Sequence, residues 1–251
     1  MSNLLEGLND RQKEAVEYMD GPLLILAGAG SGKTRVLTYK IAYLLEQEIV
    51  KPWQILAITF TNKAAKEMKE RVEGLVGQVA QDMWLGTFHS VCVRILKREI
   101  ELLGYTRDFN IFDEIDKEKV IKEVMKKLNI DEKIYPVGLI KSEISKAKEV
   151  MKDDVAYQKD AIGDFRKEEI AKVYSMYQAT LRTNNSIDFD DIIMLTVKLF
   201  LEHPDRLDYY QSKFNYILVD EYQDTNKTQF LLISLLSAAT GNICVVGDES
   251  Q

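Results

Sequence analysis

The sequence predicts an α/β protein: a mostly parallel sheet covered by helices and interrupted by an all-helical insertion. Three observations carry this. Short aliphatic runs alternate with stretches of helical periodicity near both ends of the chain, the pattern of strands joined by crossover helices. The first such run leads directly into a glycine-rich turn and then a helix. Between about residues 113 and 187 the aliphatic runs stop and Gly becomes rare. There, Lys, Glu and Asp surround apolar residues at helical spacing.

Taken in order, Leu23–Leu26 reads as a buried parallel strand feeding a helix from about Lys33. Ile55–Phe60 feeds a helix over Asn62–Val76, and Met83–Thr87 feeds one over Phe88–Leu103. In the middle, Val120, Val124 and Leu128, then Ile140, Ile144 and Ala147, keep helical spacing, as do Ile170, Val173, Tyr174, Tyr177 and Leu181. Tyr216–Val219, a helix over Thr225–Ala239 and Ile243–Val246 resume the strand–helix alternation. Residues 1–112 and 188–251 are therefore expected to form one discontinuous domain, with 113–187 as its helical insertion.

The first connection is chemically specific. Ala27, Gly28, Ala29, Gly30, Ser31, Gly32, Lys33 and Thr34 follow the first strand and open the first long helix. Glycines let backbone N–H groups wrap an anionic phosphate, and the helix N-terminus adds its partial positive charge. In such a loop Lys33 reaches the β- and γ-phosphates and the Thr34 hydroxyl ligates Mg²⁺. Ala27 stands where the strict pattern has Gly, a small departure.

The strand Tyr216–Val219 ends in Asp220 and Glu221. Acids at the carboxyl edge of a parallel sheet lie where ligands of such folds bind. Asp220 is the expected Mg²⁺ partner, since this hard ion keeps oxygen ligands and water. Glu221 is the expected base that positions and deprotonates the water attacking a γ-phosphate.

The segment Asp220-Glu221-Tyr222-Gln223-Asp224-Thr225-Asn226 resembles the signature of superfamily 1 helicases of the UvrD, Rep and PcrA type. Other segments resemble that family in the expected order: Leu8–Gln12, Ala27–Arg35, Ala57–Met68, Gly86–Ser90, Ile187–Ile192 and Val245–Gln251. The resemblance implies a RecA-like P-loop domain that uses ATP and Mg²⁺ to move 3′ to 5′ on single-stranded DNA. It implies that Gln12 contacts the adenine edge and that Gln251 senses the γ-phosphate. Arg35 would support the nucleotide or the packing around it. Phe60 is the candidate base-stacking platform, with Asn62, Thr87 and His89 near the strand; stacking on an aromatic ring tolerates any sequence. Single-stranded and junction DNA, and repair or replication proteins, are the implied partners. The family's second motor domain, which supplies arginines to the transferred phosphate, is expected beyond Gln251, so the 251-residue chain alone should turn over little ATP.

Composition is compatible with this. A formal charge of −7 argues against coating nucleic acid by bulk electrostatics, although not against a narrow groove. The basic groups Lys63, Lys66, Lys69 and Arg71, and Arg94, Lys97 and Arg98, read most simply as solvated helix faces. Cys92 and Cys244 sit in apolar contexts and are expected to be reduced and buried. No apolar run approaches membrane-spanning length, and Met1–Glu6 is unlike an export signal; the expected location is the cytoplasm.

Overall fold

The computed structural model describes residues 3–28 and 30–248. Two compact units emerge. One takes the chain up to Val91, His203–Thr225 and the chain from Ile233 onward; the other takes Cys92–Glu202 and Asn226–Leu232. The second unit thus extends on both sides of the stretch singled out by composition.

In chain order, α1 (Asp10–Glu17), β1 (Leu23–Leu26), α2 (Lys33–Glu46), β2 (Ile55–Thr59), α3 (Asn62–Val76) and β3 (Trp84–Thr87) lie in the first unit. Beyond its first turn, α4 (Phe88–Glu99) enters the second. There it is followed by β4 (Asn110–Phe112), α5 (Glu114–Lys127), α6 (Val137–Glu149), α7 (Asp154–Asp160), α8 (Phe165–Thr183), β5 (Ser186–Asp188) and α9 (Phe189–Glu202). The first unit resumes with α10 (Pro204–Lys213), β6 (Tyr216–Val219) and β7 (Ile243–Gly247), while α11 (Lys227–Ser237) is divided between the two.

The first unit is built on a five-stranded sheet of order β1-β7-β6-β2-β3, parallel throughout. Every residue of β2 and β6 is buried, as a central parallel strand covered on both faces requires. Leu37, Ile41 and Leu44 of α2 and Met68 and Val72 of α3 pack with Ala57, Leu218, Cys244 and Val246 of the strands. Both cysteines are fully buried and free. Burial pushes the Cys244 thiol up to about 11, so it behaves as a small apolar group.

Two sequence readings need correction. β1 is not buried throughout: it is the edge strand, and Leu24 and Leu26 are 55% and 52% exposed. Its side chains alternate between a packed and an open face. The central region is also not wholly helical at its margins, because β4 and β5 pair in parallel, Asn110 with Ser186 through Phe112 with Asp188. Three residues each are too few to register as apolar runs.

The second unit's core joins Val120, Ile121 and Val124 of α5, Ile140 and Ile144 of α6, and Ile170, Val173, Tyr174, Tyr177 and Leu181 of α8. Helical spacing had brought out most of these positions. Asp113, Asp153 and Asp164 cap α5, α7 and α8 by accepting backbone N–H groups, satisfying donors that helices leave open at their starts.

Candidate functional site

Because β6 and β7 stand between β1 and β2, the carboxyl ends of β1, β7 and β6 meet at one edge of the sheet. A cleft of about 600 Å³ opens there, lined by Gly30, Gly32, Lys33, Thr34, Arg35, Arg71, Glu221, Gln223, Asp224 and Asp248.

The loop between β1 and α2 turns tightly. Gly30 and Gly32 have φ of 76° and 87°, left-handed values that L side chains adopt only with strain. The turn is closed by Ser31 N–H donating to the Gly28 carbonyl (3.2 Å), and Ala27 N–H donates to the Gly247 carbonyl (3.1 Å). Lys33 opens α2, so its Nζ extends into the cleft. It donates to Asp248 Oδ2 at 3.0 Å and lies 4.0 Å from Glu221 Oε2. Ala29 and Gln251, both expected at the nucleotide, lie outside the described residues.

Asp220 is held on both carboxylate oxygens. Thr34 Oγ1 donates to Oδ2 at 3.0 Å, and the Glu221 N–H donates to Oδ1 at 3.0 Å. Burial raises its pKa above the usual carboxylate range, a pull opposed chiefly by the Thr34 hydroxyl. Among the described residues no group of three or more His, Cys, Asp or Glu could hold a metal alone. The Thr34–Asp220 pair instead offers two hard oxygens, one on a carboxylate whose burial a cation would relieve. That donor set fits Mg²⁺ completed by phosphate and water oxygens.

Glu221 sits in the left-handed region at φ 51°, ψ 43°, where a non-glycine residue is strained. Gln223 holds it there: Nε2 donates to Glu221 Oε2 at 2.6 Å, and Oε1 accepts the Asp248 N–H at 3.0 Å. Asp248 thus links the two sides: its carboxylate accepts from Lys33 and its N–H donates to Gln223, which bonds Glu221, while Lys33 and Glu221 face each other as an ion pair at 4.0 Å.

Gln12 reaches the loop from α1. Asn9 and Gln12 cap this helix reciprocally, and Gln12 Nε2 donates to the Ser31 carbonyl at 3.2 Å. The Arg35 guanidinium lies 5.3 Å from the centre of the Tyr39 ring.

Phe60 follows β2 and His89 stands in the first turn of α4, after β3. Since Thr59 pairs with Thr87 across these strands, the four DNA candidates occur near the adjacent carboxyl ends of β2 and β3. Phe60 makes an edge contact with Phe88 at 5.4 Å and is half-buried, while Asn62 is exposed. Thr87 is buried; its hydroxyl accepts the Ser90 N–H at 3.2 Å. That hydroxyl serves the start of α4 rather than an open surface.

Arg71, Gln223, Asp224 and Asp248 line the cleft with no role assigned to them from the sequence. Arg71 was grouped with a basic helix face, yet α3 carries it into the cleft lining. It stays exposed, flanking the buried stripe of Ala65, Met68 and Val72 on that helix. Gln223 and Asp248 lay inside quoted motifs, but their mutual bond joins separate strand ends and has no local signature.

Residues 8–251 match the UvrD/REP helicase N-terminal domain. Proteins described as ATP-dependent DNA helicase PcrA from Staphylococcus epidermidis and Staphylococcus aureus are each 53% identical over all 251 residues. The chain spans only 34% of the length of either relative.

Proposed function

Because the chain belongs to the UvrD/REP helicase family, we propose that it is the N-terminal motor portion of an ATP-dependent DNA helicase moving 3′ to 5′ on single-stranded DNA. The observation that carries this reading is the convergence of Lys33, Thr34 and Glu221 on one cleft at the carboxyl edge of the sheet, with Asp220 hydrogen-bonded to Thr34. The same edge presents Phe60 at the end of a neighbouring strand. Residues 1–112 and 188–251 make the motor domain in this reading, and 113–187 its inserted subdomain.

Each residue has a physical task. The loop N–H groups and Lys33 hold the β- and γ-phosphates. Thr34 and Asp220 hold Mg²⁺, which when bound neutralises charge on those phosphates. Glu221 orients the attacking water and takes its proton; its fixed left-handed backbone and the Gln223 bond limit where the carboxylate can point. Gln12 meets the adenine edge beside the loop, Arg35 supports the nucleotide, and Gln251 senses the γ-phosphate. Phe60 stacks on a base, with Asn62 and His89 toward the strand; Thr87 acts only by shaping the start of α4. Single-stranded and junction DNA are the proposed substrates, with repair or replication proteins as further partners and the cytoplasm as the place of work. No helix among the described residues is long and apolar enough to cross a membrane.

The arginines facing the transferred phosphate belong to a second motor domain beyond this chain. Such residues contribute ~10³–10⁵-fold in rate, so the 251-residue chain binds ATP with little turnover. The test is Mg-ATP binding and hydrolysis by this chain, with and without a single-stranded oligonucleotide, beside Lys33→Ala and Glu221→Gln. Binding that Lys33→Ala abolishes, with near-zero turnover, is expected. Brisk Glu221-dependent turnover would overturn the division of labour, and ATP binding indifferent to Lys33 would overturn the site.

A further inference from the structure

The helix that brings Gln12 to the phosphate loop is only eight residues long, Asp10–Glu17. A helix of that length is not stable alone in water, so its position is set by what holds it. Its N-terminal half is capped by Asn9, and Val16 is buried against Leu8 and Val36. Its C-terminal end, packed through Ala15 and Val16, is also bonded by one side chain of α2. Lys40 Nζ donates to the carbonyls of Ala15 at 2.9 Å, Val16 at 3.4 Å and Tyr18. The first two are last-turn carbonyls and the third belongs to the capping residue just past the helix, groups that a helix leaves without intrahelical partners.

Lys40 is wholly buried, which is rare for a lysine. Its partners are backbone carbonyls rather than a carboxylate, and its Nζ lies 5.7 Å from the centre of the Tyr216 ring. Three N–H donors meet three carbonyls, which matches the donor capacity of an ammonium. Burial lowers its pKa to about 8, so the three-donor form persists at neutral pH. A buried cation without a counter-charge is costly, and an apolar side chain of similar length would pack there without that cost; the ammonium is explained by the carbonyls it clamps. Lys40 lies two helical turns beyond Lys33 on α2, hence on nearly the same face. One helix therefore presents the phosphate-binding lysine at its start and fixes the base-side helix further along.

We propose that Lys40 is a positioning residue for base recognition: by clamping the C-terminal end of α1 to α2, it sets Gln12 against the phosphate loop and thereby selects adenine. The proposal rests on the reading that Gln12 contacts the base.

The test uses the 251-residue chain with Lys40→Met, Lys40→Arg and Gln12→Ala. Affinity for Mg-ATP, Mg-GTP and inorganic tripolyphosphate is measured by calorimetry, and amide hydrogen exchange is followed along α1. One hydrogen bond to the base corresponds to a preference of about tenfold. Lys40→Met is expected to speed exchange in α1 at least tenfold and to remove the ATP-over-GTP preference. Tripolyphosphate affinity should stay within twofold, and Lys40→Arg should recover much of the preference. The double variant Gln12→Ala/Lys40→Met should lose no more preference than Gln12→Ala. Unchanged α1 exchange in Lys40→Met, or a loosened α1 with the preference intact, would overturn the inference while leaving the role of Gln12 standing. A preference that survives Gln12→Ala, or a wild-type chain that shows none, would overturn the base-contact reading and this inference with it. Should Lys40→Met fail to fold, Lys40→Gln, which keeps two N–H donors, is read by the same criteria.

Discussion

The second unit contains a buried ionic network whose disruption gives the sharpest stability prediction. Lys148 Nζ lies 2.8 Å from Asp188 Oδ2 and 2.8 Å from Asp191 Oδ1, and all three side chains are at most 2% exposed. Asp188 also accepts the Tyr177 hydroxyl at 2.9 Å, and Asp191 accepts Gln178 Nε2 at 3.2 Å. The two carboxylates cap the start of α9 reciprocally: Asp188 Oδ1 takes the Asp191 N–H at 2.8 Å, and Asp191 Oδ2 takes the Asp188 N–H at 3.0 Å. Lys148→Met would keep the aliphatic stem and delete the charge that both acids face. Removing one partner of a buried pair costs ~3–5 kcal/mol, because the remaining charge has no compensation. Here two acids are stranded, which argues for the upper end. Lys117 remains 3.5 Å from Asp188, and Asp191, already raised to about 6 by burial, can take up a proton, which argues for the lower end. A loss of ~3–5 kcal/mol is therefore expected at neutral pH. Urea unfolding should be followed by far-ultraviolet circular dichroism, since Trp53 and Trp84 both lie in the first unit and report poorly on the second. Adding Asp188→Asn and Asp191→Asn to Lys148→Met should restore much of the loss. A loss below ~1 kcal/mol for Lys148→Met alone would refute the view that this lysine carries the network.

Three other perturbations have signed outcomes. Asp191 has a folded pKa above its unfolded value because burial and the neighbouring Asp188 disfavour its charge. The stability it contributes is therefore full below its unfolded pKa and lost as pH rises through about 6. Asp191→Asn should flatten the dependence of the urea midpoint between pH 4 and 7 relative to wild type; an unchanged slope would count against the assignment. Gly32→Ala and Gly30→Ala should each destabilise by ~1–2 kcal/mol through positive φ. Gly32→Ala should cost ~0.5–1.5 kcal/mol more, because its Cβ would stand 3.2 Å from Gln12 Nε2 and disturb that hydrogen bond. Urea melts with and without Gln12→Ala would reveal this extra cost as non-additivity. Phe60→Leu should weaken oligo-dT binding by ~1–3 kcal/mol while keeping most of the packing against Phe88; unchanged affinity in a fluorescence titration would remove Phe60 from the DNA surface.

Much of the first unit could be read from the chain because its signals are local. A parallel strand buried on both faces must be apolar at consecutive positions, so Tyr216–Val219 and Ile55–Thr59 declared themselves. The phosphate loop and the two acids are likewise contiguous in sequence. What escaped depends on distant partners. Lys40, Lys117 and Lys148 look like ordinary solvated helix residues, and all three are buried. Their partners are the carbonyls of α1 for Lys40 and acids 40 or more positions away for the other two. The exposure of Leu24 and Leu26 follows from strand order, which periodicity does not encode.

The conformation of Glu221 shows how strand order completes a site that motifs only outline. A glutamate has no local reason to occupy the left-handed region, so its backbone must be held from outside. The turn that follows β6 supplies one constraint, with Asp224 N–H donating to the Glu221 carbonyl at 3.0 Å. Asp220 supplies another by accepting the Glu221 N–H. The third comes from the adjacent strand: the Asp248 N–H fixes Gln223, whose amide holds the Glu221 carboxylate. Placing β7 between β1 and β6 is what makes this possible, because Asp248 then faces both Lys33 and Gln223. Gly247 contributes by what it lacks, since a Cβ there would stand 3.3 Å from Gln223 Oε1. Glu221 is thus positioned by its neighbours at the ends of β6 and β7, and a shift of the segment after β7 would be felt at its carboxylate through one intervening side chain.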